Sequence, residues 1–266
     1  MHSATIDGVT FGYDICGEGQ ETIAFLNGIA MSVDHWMPIA DSLSSDYRCL
    51  LHDFRGQLLS DKPAGPYSLE QHADDVVGLM DALEIDRMHI LGTSYGAEVG
   101  MVMAYRHPDR VRSLILIDSV SETAPVLCAA VSAWKAAALA DPIVFYRTLI
   151  PWNYSAGYLN LHGDELRDRE SRVRELPPEY FAGFAELCDS FLNIDITPHL
   201  QEIDCPTLVV VADRDILKPQ RFSQIIHARI ENSAFAVIEG AGHAVVIEQP
   251  ERIVGLAKEF VSHVIE

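Results

Sequence analysis

Three residue types that can pass a proton between them occur in one order along this chain: Ser94, Asp215 and His243. Ser94 is the centre of Gly92-Thr93-Ser94-Tyr95-Gly96, with a glycine two positions away on each side. A serine hydroxyl is a weak nucleophile. It needs a base to take its proton, and the base needs an acid to orient it. Of the eleven histidines, His243 in "EGAGHAVVIEQP" lies in a glycine-flanked loop, whereas most others fall in helical or surface contexts. "VVVADRDILKP" supplies Asp213 and Asp215, and "SLILIDSV" supplies Asp118, a rival for the acid.

Such residues are useful only if the elements around them converge. "TIDGVTFGYDIC" alternates with period 2, and "TIAFLNG", "YRCLLHDFRG", "RMHILGTS", "VRSLILIDSV", "PTLVVVADRD" and "AFAVIEGAGH" are short apolar strand candidates. Between them, "SLEQHADDVVGLMDALEI" and "YGAEVGMVMAYRHP" have apolar residues at helical spacing, and "ERIVGLAKEFVSHVIE" closes the chain as a helix. Strands alternating with helices predict a mostly parallel sheet flanked by helices. From about Ser121 to His199 the alternation stops. "CAAVSAWKAAALA", "DPIVFYRTLI" and "PPEYFAGFAELCDSFLNI" look helical, with breaks expected at Pro142, Pro151, Pro177 and Pro178. The expected organisation is an α/β core over 1–120 and 200–266, with a helical cap insertion over 121–199.

In that frame Ser94 follows a strand and precedes a helix. A sharp turn there forces the serine backbone into strain and brings its neighbours close together, so Gly92 and Gly96 carry no side chain. The hydroxyl emerges at the carboxyl edge of the sheet, beside a helix N-terminus that favours developing negative charge. Strand ends of an open α/β sheet meet at one crevice, so Ser94, Asp215 and His243 can meet there too. Asp213 is expected to brace its turn.

Composition excludes other classes. At 266 residues, 48% hydrophobic, the chain can bury a large core unaided. A formal net charge of −20 repels phosphate backbones and anionic lipid, so neither nucleic acid nor a membrane is an expected partner. The five cysteines are scattered, without a Cys-x-x-Cys pair or a Cys/His cluster, so no metal, cofactor or disulfide framework is expected. The N-terminus lacks a basic region followed by an apolar run, and a cytoplasmic protein is expected, as a monomer or homodimer.

The chain resembles the α/β-hydrolases over nearly its whole length. The resemblance rests on "FLNGIA", "DFRGQLLSDKP", "GTSYGA", "ADRD" and "GAGHAVVIEQP", and is greatest for small esterase and enol-lactonase-like members. It implies a Ser94–His243–Asp215 triad, with the serine, acid and histidine in the family's chain order. It also implies an oxyanion hole made by the backbone N–H groups of Ile29 and Tyr95. The sequence departs from the family pattern at Asn27, Leu58, Ala97 and Ala212. Asn27 stands where a histidine is usual, so the oxyanion loop must be braced differently. Leu58, where a glycine is usual, puts Leu58 and Leu59 at the expected pocket rim.

The expected activity is hydrolysis of a small, largely apolar carboxylic ester, lactone or thioester. The same triad would serve a carbon–carbon bond hydrolase, and the fold also occurs in ligand receptors with little turnover. Trp134, Phe145, Tyr146, Trp152 and Tyr154 are expected to roof the substrate pocket.

Overall fold

The computed structural model describes residues 1–265. Its frame is one eight-stranded sheet: β1 (His2–Ile6), β2 (Val9–Cys16), β3 (Thr22–Leu26), β4 (Arg48–His52), β5 (Met88–Thr93), β6 (Val111–Ile117), β7 (Thr207–Ala212) and β8 (Ser233–Ile238). The spatial order is β1-β2-β4-β3-β5-β6-β7-β8. The β1–β2 and β2–β4 pairs are antiparallel and all others parallel. Every residue of β3, β5 and β7 is buried, as expected of central parallel strands covered on both faces.

The alternating run at the N-terminus proved to be two strands. Asp7 and Gly8 break it with φ values of 50° and 81°. Positive φ at both central positions suits a two-residue hairpin turn, and the Asp-Gly pair supplies it.

Helices cover both faces. They are α1 (Met37–Leu43), α2 (Leu69–Ala82), α3 (Tyr95–Arg106), α8 (Arg221–Arg229), α9 (Val245–Glu248) and α10 (Pro250–Ile265), with the insertion helices α4–α7 described below. The period-2 geometry of the strands sorts their side chains. Ala24, Leu26, Ile90, Leu114 and Leu116 join the core beneath α2 and α3. Ile23, Phe25, Leu91, Ile115 and Ile117 join the one beneath α1 and α10.

Between β6 and β7 stand α4 (Pro125–Ala140), α5 (Pro142–Asn153), α6 (Ala156–Val173) and α7 (Pro178–Leu192). Three of the four begin with proline at the first helical position, where its missing N–H has no helical partner in any case. Asp141 caps α5 by accepting from the amides of Ile143 and Val144, and Ser155 caps α6. Pro151 does not break α5, which runs on to Asn153. α6 is largely polar and was not marked by apolar periodicity. Trp134, Phe145, Phe181, Phe184 and Phe191 belong to the same core as α3, so the insertion is packed onto the sheet side that carries Ser94. Burying each such ring contributes on the order of 2–3 kcal/mol.

Candidate active site

Ser94 sits in the tight turn from β5 into α3, with φ 52° and ψ −120°. Its amide donates to the carbonyl of Ile117 at 2.8 Å, and its carbonyl accepts from Ala97 and Glu98. A Cβ on Gly92 would lie 2.7 Å from the Gly96 carbonyl carbon, and one on Gly96 would collide with the Leu26 carbonyl. Neither glycine can be replaced without moving backbone. A non-glycine residue at this φ stores strain of order 1–3 kcal/mol, which the surrounding packing must hold.

His243 follows β8 and reaches both other residues. Its Nε2 is 2.9 Å from Ser94 Oγ, and its Nδ1 is 2.7 Å from Asp215 Oδ2. The carboxylate can only accept, so the imidazole proton is on Nδ1 and Nε2 is left to accept from the serine hydroxyl. Asp215 Oδ1 accepts from the amides of Leu217 and Lys218, both at 2.8 Å, which fixes the carboxylate's orientation. All three side chains are buried. In that setting the hydroxyl, imidazole and carboxylate form one continuous hydrogen-bonded path, along which the serine proton can reach the imidazole.

Asp118 lies close by without joining that path. Its Oδ1 accepts from the Ala212 amide at 2.8 Å, and its Oδ2 has no partner among the described residues. Burial, and then the charge of Asp215, push the Asp118 carboxyl well above the usual carboxylate range, which favours its protonated form. Asp213 accepts from the Gly240 amide at 2.6 Å and braces the β7 turn against the loop after β8.

Asp118, Asp215 and His243 are the one group of three metal-capable side chains among the described residues. Ligands about 2.1 Å from a tetrahedral ion stand about 3.4 Å apart. The 2.7 Å contact between His243 and Asp215 is a hydrogen bond and leaves no room for an ion between them.

The loop carrying Ile29 is braced by a residue that sequence reasoning missed. Gln57 Nε2 donates to the Gly28 carbonyl at 2.9 Å. Asn27 Nδ2 donates to the carbonyl of His52, to Asp53 Oδ1 and to Gln57 Oε1, and Asn27 Oδ1 accepts from Trp36 Nε1. Burial raises the Asp53 carboxyl to about 6, while the amides of Leu59 and Val33 pull it back. The amides of Ile29 and Tyr95, the sequence-predicted oxyanion donors, are in no hydrogen bond among the described residues. Both residues line a small cleft beside Ser94 that also holds Trp134 and Lys218. Lys218 Nζ is itself paired with Glu98 at 2.7 Å in full burial.

A cavity of about 680 Å³ opens over Ser94 and His243. Trp134, Phe145, Tyr146, Tyr154 and Leu58 line it. Trp152 does not; it packs half-buried against the core. Leu59 likewise turns inward, against the core on the other face. Two ties hold the insertion to the His243 loop: the Ala244 amide donates to the Asn153 carbonyl at 2.7 Å, and Glu248 accepts from Ser155 and from the Gly242 amide. Arg169 and Arg172 of α6 also face the cavity, and no sequence signal had marked them.

Similar proteins match nearly the whole of this chain. A relative from Caulobacter segnis, provisionally named carbamate hydrolase RutD, is 28% identical over 265 residues, covering 94% of this chain and 95% of its own. The 3-oxoadipate enol-lactonase 2 of Acinetobacter baylyi is 27% identical over 252 residues, covering 93% and 91%. The crystal structure of MGS-M2, an α/β-hydrolase enzyme from a Medee basin deep-sea metagenome library, superposes with a TM-score of 0.94 at 25% identity, covering 98% of this chain and 97% of that one. A family model described as the alpha/beta hydrolase fold matches residues 21–250, and the chain belongs to the α/β-hydrolase family.

Proposed function

We propose that the chain is a serine hydrolase that cleaves a small, largely apolar carboxylic ester, lactone or thioester through an acyl-enzyme on Ser94. The observation that carries this reading is the buried relay from Ser94 Oγ through His243 to Asp215, at 2.9 and 2.7 Å, on the floor of an apolar-walled cavity. The names of the two curated relatives, a lactonase and a carbamate hydrolase, support the same class of chemistry.

Ser94 Oγ attacks the substrate carbonyl carbon while its proton passes to His243 Nε2. The tetrahedral oxyanion accepts hydrogen bonds from the amides of Ile29 and Tyr95, at the positive end of α3. Asp215 holds the imidazolium that has formed. When the intermediate collapses, the leaving oxygen or sulfur takes the proton from His243, leaving Ser94 acylated. Water then gives its proton to His243 and its oxygen to the acyl carbon. Collapse of that second intermediate frees the acid, and His243 returns the proton to Ser94.

The test is a panel of 4-nitrophenyl acyl esters, lactones and acyl thioesters assayed with purified protein. Repeated turnover of at least one, with a covalent acyl adduct on Ser94 trapped by rapid acid quench, is expected. A single stoichiometric release, or turnover with no adduct on Ser94, overturns the reading.

A further inference from the structure

The outer cavity carries a charge that the acyl-transfer chemistry does not use. Arg169 and Arg172 lie three residues apart on α6, and both line the cavity. Their neighbours on that helix are matched: Arg167 pairs with Asp164, and Glu170 with Arg147 at 2.8 Å. Arg169 has no such partner among the described residues. Its Nη1 donates to Tyr154 Oη at 3.1 Å, with Tyr158 alongside. Tyr154 stacks on Tyr158 with ring centroids 5.0 Å apart, which holds the phenol in place beneath the guanidinium. Arg169 is half-buried, whereas Arg172 is exposed.

An arginine presents five N–H donors in a rigid fork suited to a carboxylate, and leaving it partly desolvated without an anion is unfavourable. In a chain with 39 acidic residues and 19 lysines and arginines, an acid to neutralise it is easily found. Here the fork is instead left open to the cavity. Burial holds His35 below its ordinary range, and Arg169 pushes it the same way.

The nearby acids lie at the rim or are engaged elsewhere. Asp34 is exposed at the cavity rim. Glu165 is taken up by His162 at 3.2 Å, and Glu248 by Ser155 and Gly242. Arg172 is exposed, so Arg169 is the one half-buried guanidinium of the lining and matches a single carboxylate.

We infer that Arg169, steadied by Tyr154, is the anion-binding residue of this cavity, and that preferred substrates carry one carboxylate at the end remote from the bond being cut. The inference rests on the hydrolase reading for the location of that bond. The apolar walls, with Trp134, Phe145 and Leu149, take the stretch between the two ends. The substrate is thus an acid-bearing ester, lactone or thioester: apolar along its length and anionic at one end.

The test compares mono-4-nitrophenyl esters of succinic, glutaric, adipic and suberic acid with analogues whose free carboxyl is a carboxamide of the same size. For at least one chain length, kcat/KM should favour the acid by about tenfold or more, the scale of a charge-assisted hydrogen bond. Arg169→Gln should remove most of that preference by raising KM for the acid, with a much smaller change for the amide, and Arg169→Lys should keep part of it. No preference at any length, or an equal fall for acid and amide in Arg169→Gln, overturns the inference. A terminal phosphonate that outperforms the carboxylate overturns the single-charge assignment. Calorimetric titration of Ser94→Ala with monomethyl esters of the same acids, and with their carboxamides, reads binding without turnover. There the acid should bind more tightly, and Ser94→Ala/Arg169→Gln should abolish the difference. If neither ester series is turned over, the calorimetric comparison decides the role of Arg169, and the hydrolase reading fails only if the lactones and thioesters are not turned over either.

Discussion

Gln57 and Asn27 grip one another beneath the loop that carries Ile29: Asn27 Nδ2 donates to Gln57 Oε1 at 2.9 Å while Gln57 Nε2 holds the Gly28 carbonyl at 2.9 Å. The pair takes the bracing role left open by the absence of the usual histidine at position 27. Gln57→Leu keeps the volume and removes both hydrogen bonds, together with those from the Phe54 amide to Oε1 at 2.9 Å and from Nε2 to the Ile29 carbonyl at 3.5 Å. If the Ile29 amide must be aimed within a fraction of an ångström, kcat should fall by about a hundredfold with KM little changed. Steady-state kinetics on a short acyl ester checks this. A rise in KM alone would place Gln57 in substrate binding instead.

Ser94→Ala should lower turnover by several orders of magnitude and leave the melting temperature close to that of the parent protein. The hydroxyl has a single side-chain hydrogen bond, to His243, so little packing is lost. A fluorophosphonate probe should label Ser94 and no other serine, as read by peptide mapping. Labelling elsewhere, or substantial activity in a well-folded Ser94→Ala protein, rejects the nucleophile.

The two buried aspartates should separate cleanly. Asp215 carries charge against His243, so Asp215→Asn should lower kcat by about a thousandfold or more. Asp118 has no hydrogen bond to His243 or Ser94, burial favours its protonated form, and an amide can still accept from Ala212, so Asp118→Asn should change kcat little. Parallel kcat measurements on the two variants decide the matter. The reverse pattern would move the acid to the end of β6.

Stability should weaken in mild acid because of two buried histidines that take no part in the Ser94–His243–Asp215 chain. His52 and His72 both pack on Phe54 with ring centroids 5.1 Å apart, and none of their ring nitrogens has a partner among the described residues. Burial pushes His52 down to about 4 and His72 down to about 3. An unfolded histidine titrates near 6.5, so below that pH the unfolded chain binds protons that the folded chain refuses. Each ring's stabilising contribution is therefore complete above about pH 6.5 and is lost as pH falls toward its folded value. His72→Phe removes one such term, so its stability relative to the parent should rise by about 2 kcal/mol between pH 7 and pH 5. Denaturant unfolding at the two pH values measures it, and parallel behaviour of the two proteins would show that His72 is not buried neutral.

What the sequence alone determined were the features set by short-range geometry. Gly92, Ser94 and Gly96 are constrained by a turn a few residues long, and the apolar runs of β3, β5, β6 and β7 declare strands buried on both faces. Because parallel strands end at one edge, the positions of Asp215 and His243 just after β7 and β8 were enough to bring them toward Ser94. Even the Asp7-Gly8 turn was written locally, although the alternating pattern on both sides of it read as one strand.

Only the tertiary structure decided which side chains face the cavity. Trp134 and Trp152 are both aromatic residues of insertion helices, yet one lines the cavity and the other packs against the core, because the rotation of each helix is set by distant partners. Gln57 is an ordinary polar residue until the chain brings Gly28 and Asn27 within reach of its amide. Arg169 lies on a helix without a strong apolar stripe, and nothing within its own segment tells it from Arg167. Each has an acid one turn back, Asp164 for Arg167 and Glu165 for Arg169, but Glu165 pairs with His162 while Arg169 turns to Tyr154 and the cavity. Contacts between segments far apart in the chain carry that information, and composition, spacing and periodicity do not.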